Sequence, residues 1–262
     1  MPDATIPAES STSVSRNRRW WGSRPGSRWK GSTRSRTRSP RSWPSGPSSS
    51  SSWTSVTKGL GGTFVGSGGS YDYASEGGTH HSPGDVATML TIPGMQVLAP
   101  GHGEEAAALL RATYANGTPT YMRTSLATNE QPRDVAVGRL EVVRRGAGAT
   151  VIAFGPMLTR TLAATEGLDV TVAYATSVEP FDDAGLAAIV GRDPNVIVVE
   201  PWFEGTSAST VIRALGHLRA RYDFIGVPRA FIHEYGTWSE LDADVGLDVV
   251  GLRARLERSR EP

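Results

Sequence analysis

The pattern of apolar and polar positions predicts alternating strands and helices from residue 58 onward. Continuous apolar runs at Ala149–Phe154, Val170–Tyr174 and Val196–Glu200 are typical of strands that are buried on both faces. Amphipathic patterns predict helices between and after these strands, at Leu158–Glu166, Asp183–Val190, Ser209–Arg221 and Leu247–Arg258.

Residues 58–137 show the same alternation with shorter elements. Strand-like runs occupy Gly61–Gly66, Gln96–Ala99 and Thr120–Arg123. One helix is predicted to start near Asp85 with Ser82 as its N-cap, and another covers Glu104–Ala115 and is closed by Asn116-Gly117. We therefore expect an α/β fold of two domains, each a mainly parallel sheet flanked by helices, over residues 58–137 and 138–262.

The composition of the 262 residues fits this expectation only in part. The chain is 38% apolar and has no cysteine, which excludes a disulfide scaffold. No apolar run reaches the roughly 18–20 residues of a membrane span, and the N-terminus lacks the apolar middle of a secretory signal. We therefore expect a cytoplasmic protein with no membrane partner.

Residues 10–57 differ from the rest of the chain. They hold nine Arg, one Lys, 17 Ser and five of the seven Trp without one acid, whereas residues 58–262 hold 17 basic and 24 acidic residues. Because no apolar period is present, residues 1–57 are predicted to be disordered and of low complexity. The segment is a basic tail that binds nucleic acid, an inert linker, or a coding region read out of frame. We favour the third interpretation and expect no nucleic-acid partner.

A codon test supports the frame hypothesis. The excess of 25 Arg over 2 Lys indicates a GC-rich gene. If the frame is shifted, a printed Ser corresponds to a true codon for Phe, Leu, Ile or Val, and a printed Arg to one for Ala, Ser, Thr or Pro. With permitted codons, residues 14–32 re-read as GIAEQAVVGVAAGLALEGF and residues 43–57 as LAERPFEQFKLDVGY. The printed Ser/Arg/Trp composition is what a misread apolar segment would give.

Several runs carry a family resemblance. Residues 71–123 contain SEGGTHHS, DVATMLTIPGMQVLAPGHGEEAAALLRA and PTYMR, and resemble the pyrimidine-binding domain of transketolases and of 1-deoxyxylulose-5-phosphate synthase. The runs VIVVEPW, GVPRAFIHEYG and ELDADVGLD resemble the C-terminal domain that transketolases share with the beta subunits of 2-oxoacid dehydrogenases. Residues 58–137 would then be a partial pyrimidine-binding domain, and residues 138–262 a transketolase C-terminal-like domain.

This resemblance implies a thiamine-diphosphate-dependent transferase that moves a two-carbon ketol unit from a ketose to an aldehyde acceptor. The chain lacks the family's Gly-Asp-Gly…Asn pattern, which holds Mg or Ca and the cofactor's phosphates. A separate N-terminal subunit is therefore expected to hold the metal, and the C-terminal domain to self-associate. Two alternatives stay open: a 2-oxoacid dehydrogenase beta subunit or deoxyxylulose-phosphate-synthase-like enzyme, and a non-catalytic dimerisation and support subunit.

The resemblance also implies roles for single residues. The family glutamate that hydrogen-bonds the cofactor's aminopyrimidine ring, carried by the re-read GIAEQ, has its slot at Asn17 in the printed chain. An amide in a disordered run cannot replace it, so the printed chain is predicted to be inactive. His80 matches the catalytic histidine that reaches the donor's hydroxyl, or else it caps the following helix.

Three further positions match substrate-binding residues. His81 lies where transketolases often carry Gln and the synthase carries His, and its role stays open. Glu76 replaces a family Asp, and is otherwise a solvated loop acid. Arg123 matches an arginine that grips phosphate, and is otherwise part of a structural ion pair. The family's His-Asp-Ser has no counterpart in Gly68-Gly69-Ser70-Tyr71, which points away from pentose phosphate substrates.

The remaining candidates are expected to be structural. His102, His217 and His233 are too widely spaced for a metal site. Glu200-Pro201-Trp202 follows an apolar strand and is expected to face a neighbouring subunit.

Overall fold

The structure is a computed structural model that describes residues 61–192 and 194–260, together with the backbone of residues 36–38. The predicted disorder of residues 1–57 and the slot at Asn17 therefore lie outside the described residues, apart from that short strand. Strands and helices are numbered here along the described chain. The strands are β1 (Arg36–Arg38), β2 (Gly62–Ser67), β3 (Gln96–Leu98), β4 (Pro119–Thr124), β5 (Leu140–Arg144), β6 (Thr150–Phe154), β7 (Thr171–Ala175), β8 (Ser177–Glu179), β9 (Asn195–Phe203) and β10 (Arg221–Val227).

Helices connect most of these strands. The α-helices are α1 (Asp85–Leu90), α2 (Gly103–Thr113), α3 (Leu158–Ala164), α4 (Asp183–Ile189), α5 (Ala208–Ala214), α6 (Trp238–Asp244) and α7 (Val249–Arg260). Short 3-10 turns occupy Ala74–Glu76, Gly78–His80 and Gly155–Met157. None of the described helices has both the length and the apolar character needed to cross a membrane.

The strands form two five-stranded sheets. The first has the order β1-β2-β4-β3-β8, in which the first four strands are parallel and β8 pairs antiparallel with β3. The second has the order β10-β9-β6-β7-β5, in which only β5 is antiparallel to its neighbour. Parallel strands joined by helices are the α/β arrangement that the sequence pattern predicts, so the predicted fold class is confirmed.

The two sheets are joined by a short connection and share a hydrophobic core. A single residue separates β7 of the second sheet from β8 of the first, so the chain passes directly from one sheet to the other. One hydrophobic cluster contains Val97 and Tyr121 from the first sheet and Ile152, Val198 and Trp202 from the second. Burial of these side chains holds the two sheets together through the hydrophobic effect.

Some predicted element boundaries were wrong. The helix predicted over Ser209–Arg221 ends at Ala214, and Arg221 instead begins β10. Ser82 does not cap α1, because the N-cap is Gly84 and no side chain bonds there. The next helix does have a side-chain cap: His102 Nδ1 accepts a hydrogen bond from the Glu104 N–H at the start of α2.

Candidate functional site

His80 and His81 lie on a loop that follows the carboxyl end of β2. We call residues 76–84 the His loop. It begins at the end of the 3-10 turn Ala74–Glu76, contains the 3-10 turn Gly78–His80 and leads into α1 at Asp85. Gly77 has a φ of 76°, and a Cβ there would lie 2.5 Å from the Tyr235 ring. Glycine therefore permits both the turn and the close approach of the segment after β10.

His80 and Glu76 form a half-exposed pair at the start of this loop. The His80 Nε2 lies 3.2 Å from Glu76 Oε2, and the side chains are 30% and 37% exposed. His80 Nδ1 lies 3.2 Å from the Glu76 carbonyl oxygen and 3.1 Å from Thr79 Oγ1. His80 does not cap α1, since no side chain caps that helix. Its ring is thus oriented by Glu76 and remains accessible.

His81 points away from this pair. Neither of its buried ring nitrogens has a hydrogen-bond partner among the described residues. Its ring packs edge-on against Tyr71, with centroids 6.2 Å apart. Burial, and to a smaller extent the neighbouring His80, lower the pKa of His81, so the neutral imidazole is favoured near pH 7.

Arg123 is buried and fully engaged by this chain. Its side chain is 2% exposed, and its Nε lies 3.1 Å from Asp85 Oδ2. Its Nη2 donates to Ser70 Oγ at 2.7 Å and to the Pro201 carbonyl oxygen at 3.3 Å. A Cβ at Gly69 would lie 2.4 Å from the guanidinium carbon, so a larger residue would displace Arg123. Of the two roles that the sequence leaves open, the structural ion pair is the one that matches this geometry.

A second buried ion pair links α3 and α6, and Tyr71 in the segment after β2 bonds to it. Tyr71 Oη donates to Asp242 Oδ1 at 2.5 Å, and Arg160 Nη1 contacts Asp242 Oδ2 at 2.5 Å. Burial raises the pKa of Tyr71 far above its ordinary value, and the carboxylate of Asp242 acts in the same direction. Tyr71 therefore stays protonated and links the His loop region to α6. We call Ser70, Tyr71, Asp85, Arg123, Arg160 and Asp242 the buried network.

The expectation that Glu200 and Trp202 face a neighbouring subunit was wrong. Both residues are 0% exposed within this chain. Trp202 packs on Phe154, with ring centroids 5.4 Å apart, and its Nε1 donates to Glu200 Oε2 at 2.5 Å. The Glu200 carboxylate also accepts hydrogen bonds from the backbone N–H groups of residues 205–207. Burial raises the pKa of Glu200 to about 7, while these hydrogen bonds act to lower it.

The other histidines do not join the site. His102 caps α2, and His217 and His233 are exposed in turns after α5 and β10. Within residues 61–192 and 194–260, no group of three His, Cys, Asp or Glu side chains is placed to hold a metal ion.

Sequence reasoning missed the buried network as a unit. It noted the run ELDADVGLD only for its resemblance, and no local pattern indicates that Asp242 would reach Tyr71. The two residues are 171 positions apart, so only the tertiary packing of the two sheets reveals the contact.

Two domain families match the chain. The family described as Transketolase, pyrimidine binding domain matches residues 53–128, and Transketolase, C-terminal domain, matches residues 138–251. An uncharacterized 33.6 kDa protein in the fasciation locus of Rhodococcoides fascians is 37% identical over 74% of this chain and 63% of its own length. The 1-deoxy-D-xylulose-5-phosphate synthase of Bordetella petrii is 33% identical over 71% of this chain and 31% of its own length. The chain thus spans less than two thirds of the length of each of these relatives.

Two solved structures share the fold. A split gene transketolase, described as an inactive beta4 tetramer, matches with a TM-score of 0.64 over 81% of this chain and 72% of its own, at 19% identity. The transketolase of Campylobacter jejuni matches with a TM-score of 0.64 over 80% of this chain and 33% of its own, at 16% identity.

Proposed function

We propose, since the chain belongs to the transketolase family, that it is the C-terminal-section subunit of a thiamine-diphosphate-dependent transketolase-like enzyme. The observation that carries the proposal is the His loop of the matched pyrimidine-binding domain, which presents an oriented and accessible His80. The proposed reaction transfers a two-carbon ketol unit from a ketose to an aldehyde.

The transfer balances without an external oxidant or reductant. The C2–C3 bond of the ketose breaks, and the shortened donor leaves as an aldehyde after its C3 hydroxyl loses a proton. The two-carbon unit forms a new bond to the acceptor's carbonyl carbon, and the acceptor oxygen gains a proton. Bound thiamine diphosphate would supply the nucleophilic carbon that carries the two-carbon unit.

The side chains of the His loop would handle the protons and hydroxyl groups. We assign to His80 the holding and transfer of the proton at the donor's hydroxyl, a task that suits imidazole near neutral pH. Glu76 would orient His80 through the 3.2 Å contact and accept a hydrogen bond from the donor. Arg123 would support the loop from behind by fixing Asp85, rather than bind phosphate.

A partner subunit is proposed to supply the rest of the site. It would contribute the diphosphate-binding domain and hold Mg or Ca, for which the printed sequence has no Gly-Asp-Gly…Asn pattern. The match to a split gene transketolase supports this division. We propose a cytoplasmic heterotetramer in carbohydrate metabolism, with self-association through the C-terminal domain. The segment around Asn17, which would face the cofactor from this chain, lies outside the described residues.

A synthase-like reaction is the second candidate. The relatives named 1-deoxy-D-xylulose-5-phosphate synthase favour it, because Azoarcus sp. strain BH72 and Bordetella petrii proteins are 31% and 33% identical to this chain. Both candidates use the same cofactor and differ in the donor. Pyruvate consumption with release of carbon dioxide would identify the synthase-like reaction, and consumption of a ketose would identify the transferase.

Co-expression with the diphosphate-binding subunit of a split transketolase tests the proposal. We expect the chain whose residues 14–32 and 43–57 are re-read to form a heterotetramer, measured by light scattering, and to bind thiamine diphosphate with Mg in calorimetry. The printed chain should bind it at least about tenfold more weakly, since it lacks the glutamate. A re-read chain that neither associates nor binds the cofactor would overturn the proposal and favour a support subunit.

A further inference from the structure

A cleft of about 330 Å³ separates the His loop from the segment that follows β10. On one side it is lined by His81, Pro83 and other residues of the His loop. On the other it is lined by Phe203 at the end of β9 and by residues 230–232. Neither residue of the pair His80–Glu76 lines it, but Thr79 and His81, the chain neighbours of His80, do. We call it the apolar cleft.

The wall opposite the His loop is apolar. Phe203, Ala230, Phe231 and Ile232 contribute aromatic and aliphatic surface, and Phe231 is 87% exposed. An exposed aromatic side chain beside a cleft gains free energy when a ligand covers it, because apolar surface leaves water.

His81 supplies a polar group at the loop side of the cleft. Both of its ring nitrogens are shielded from solvent and lack partners among the described residues. A neutral imidazole has one donor and one acceptor, and leaving both unmade is unfavourable. A ligand in the cleft cannot reach these nitrogens in the described conformation, but rotation of the ring toward the cleft would let a ligand oxygen satisfy one of them.

The lining does not suit a phosphate group. Among the described residues that line the cleft, none is Lys or Arg, and the only acid is Asp85. Asp85 is held by Arg123 and by the Tyr121 hydroxyl at 2.7 Å. Arg229 lies over the Phe203 ring, with its guanidinium carbon 5.8 Å from the centroid. Phosphate recognition normally uses charge-assisted hydrogen bonds, and the described lining offers no free cation for them.

We propose that the apolar cleft binds the acceptor substrate, and that this acceptor is an uncharged aldehyde with an aliphatic or aromatic substituent rather than a sugar phosphate. The substituent packs against Phe203 and Phe231, and His81 hydrogen-bonds the acceptor's oxygen. This inference rests on the proposed function for the reaction itself. The selectivity of the cleft depends on residues of this chain and can be measured without the partner subunit.

Histidine-ring NMR of the full chain, without cofactor or partner, tests the cleft separately from the proposed reaction. The probes are 3-phenylpropanol, an unreactive analogue of an aromatic aldehyde, and glyceraldehyde 3-phosphate. His81→Gln assigns the His81 signal. We expect 3-phenylpropanol to shift that signal saturably, and glyceraldehyde 3-phosphate to leave it unchanged.

Two matched variants locate the binding. Phe231→Ser should weaken 3-phenylpropanol binding about fivefold or more, because it removes an aromatic wall. Tyr114→Ser removes an aromatic residue that is 53% exposed but lies outside the cleft, and should change the affinity less than about twofold. Absence of a His81 shift with 3-phenylpropanol would overturn the inference, as would equal or tighter binding of glyceraldehyde 3-phosphate at His81. Failure of cofactor binding in the co-expressed complex would instead count against the proposed function.

Discussion

The His loop and the buried network lie next to each other and use the same types of side chain in opposite ways. In the His loop, an imidazole and a carboxylate meet at the surface, where each is about one third exposed. In the buried network, guanidinium groups and carboxylates meet where almost no water reaches them, as for Arg123 at 2% exposure. Surface pairs contribute little to stability, whereas removing one member of a buried pair leaves an uncompensated charge. Loss of function and loss of stability should therefore separate between the two regions.

Breaking the pair Arg123–Asp85 should have the largest effect on stability. Arg123→Met leaves the Asp85 carboxylate buried without its cation, and we expect a loss of about 3–5 kcal/mol in the free energy of unfolding. Urea denaturation of the full chain measures it. The double variant Arg123→Met/Asp85→Asn should recover part of the loss. A single variant that loses less than about 1 kcal/mol would mean that Arg123 is not a structural residue.

The next largest expected effect is a pH dependence of the free energy of unfolding, caused by Glu200. Its pKa of about 7 in the folded protein exceeds the ordinary 4.5, so ionisation costs stability as pH rises from about 4.5 through about 7. The difference of about 2.5 in pKa corresponds to about 3 kcal/mol. Glu200→Gln removes this titration, but its amide NH2 would face the donors that the carboxylate accepts from, so the variant should be the less stable chain. Its deficit relative to the unchanged chain should shrink between pH 5 and pH 8 in thermal unfolding. A deficit that grows over that range would show that the hydrogen bonds to the carboxylate outweigh its burial.

Removing the Tyr71 hydroxyl should have a smaller effect. Tyr71→Phe deletes one hydrogen bond to Asp242 but leaves Arg160 to pair with that carboxylate. We expect a loss of about 1–2 kcal/mol in the free energy of unfolding. Tyr222→Phe is the control, because among the described residues the Tyr222 hydroxyl does not bond to a buried carboxylate. Equal losses for both variants would contradict a special role for the link between Tyr71 and α6.

The His80–Glu76 pair should matter least for stability and most for catalysis. His80→Ala is expected to cost less than about 0.5 kcal/mol, because both side chains are partly solvated. In the re-read chain with its partner, the same substitution should lower kcat by about 10²–10⁴. His217→Ala, an exposed histidine outside the loop, should change neither quantity. A large stability loss for His80→Ala would assign this residue a structural role.

The sequence predicts the regular parts of the fold well because burial on both faces of a parallel strand leaves a local pattern. For this reason the run at Ala149–Phe154 matches β6 to within one residue, and the run at Val196–Glu200 falls within β9. The first half of β10 is polar, so the preceding helix was predicted to extend to Arg221. The passage of the chain from β7 to β8 leaves no signal, because it depends on how the two sheets dock.

Of the candidate site, the sequence predicts the His loop but not the surroundings of Arg123 or the apolar cleft. The run SEGGTHHS identifies His80, His81 and Glu76 as neighbours because local spacing fixes the loop. The environment of Arg123 is not predictable from spacing, since Asp85 and Ser70 approach it only after β4 and the His loop pack together. The apolar cleft likewise depends on the segment after β10, which is more than 140 residues from the His loop.

Ketol transfer by two versions of the chain tests the central claim most directly. Each version, printed or with residues 14–32 and 43–57 re-read, is purified in complex with the diphosphate-binding subunit. It is supplied with thiamine diphosphate, Mg, a ketose donor and an uncharged aldehyde. The account predicts that the re-read chain forms the extended ketose, measured by NMR, and that the printed chain does not. Product from the printed chain at a comparable rate would contradict the frame hypothesis, and product from neither would contradict the proposed transferase function.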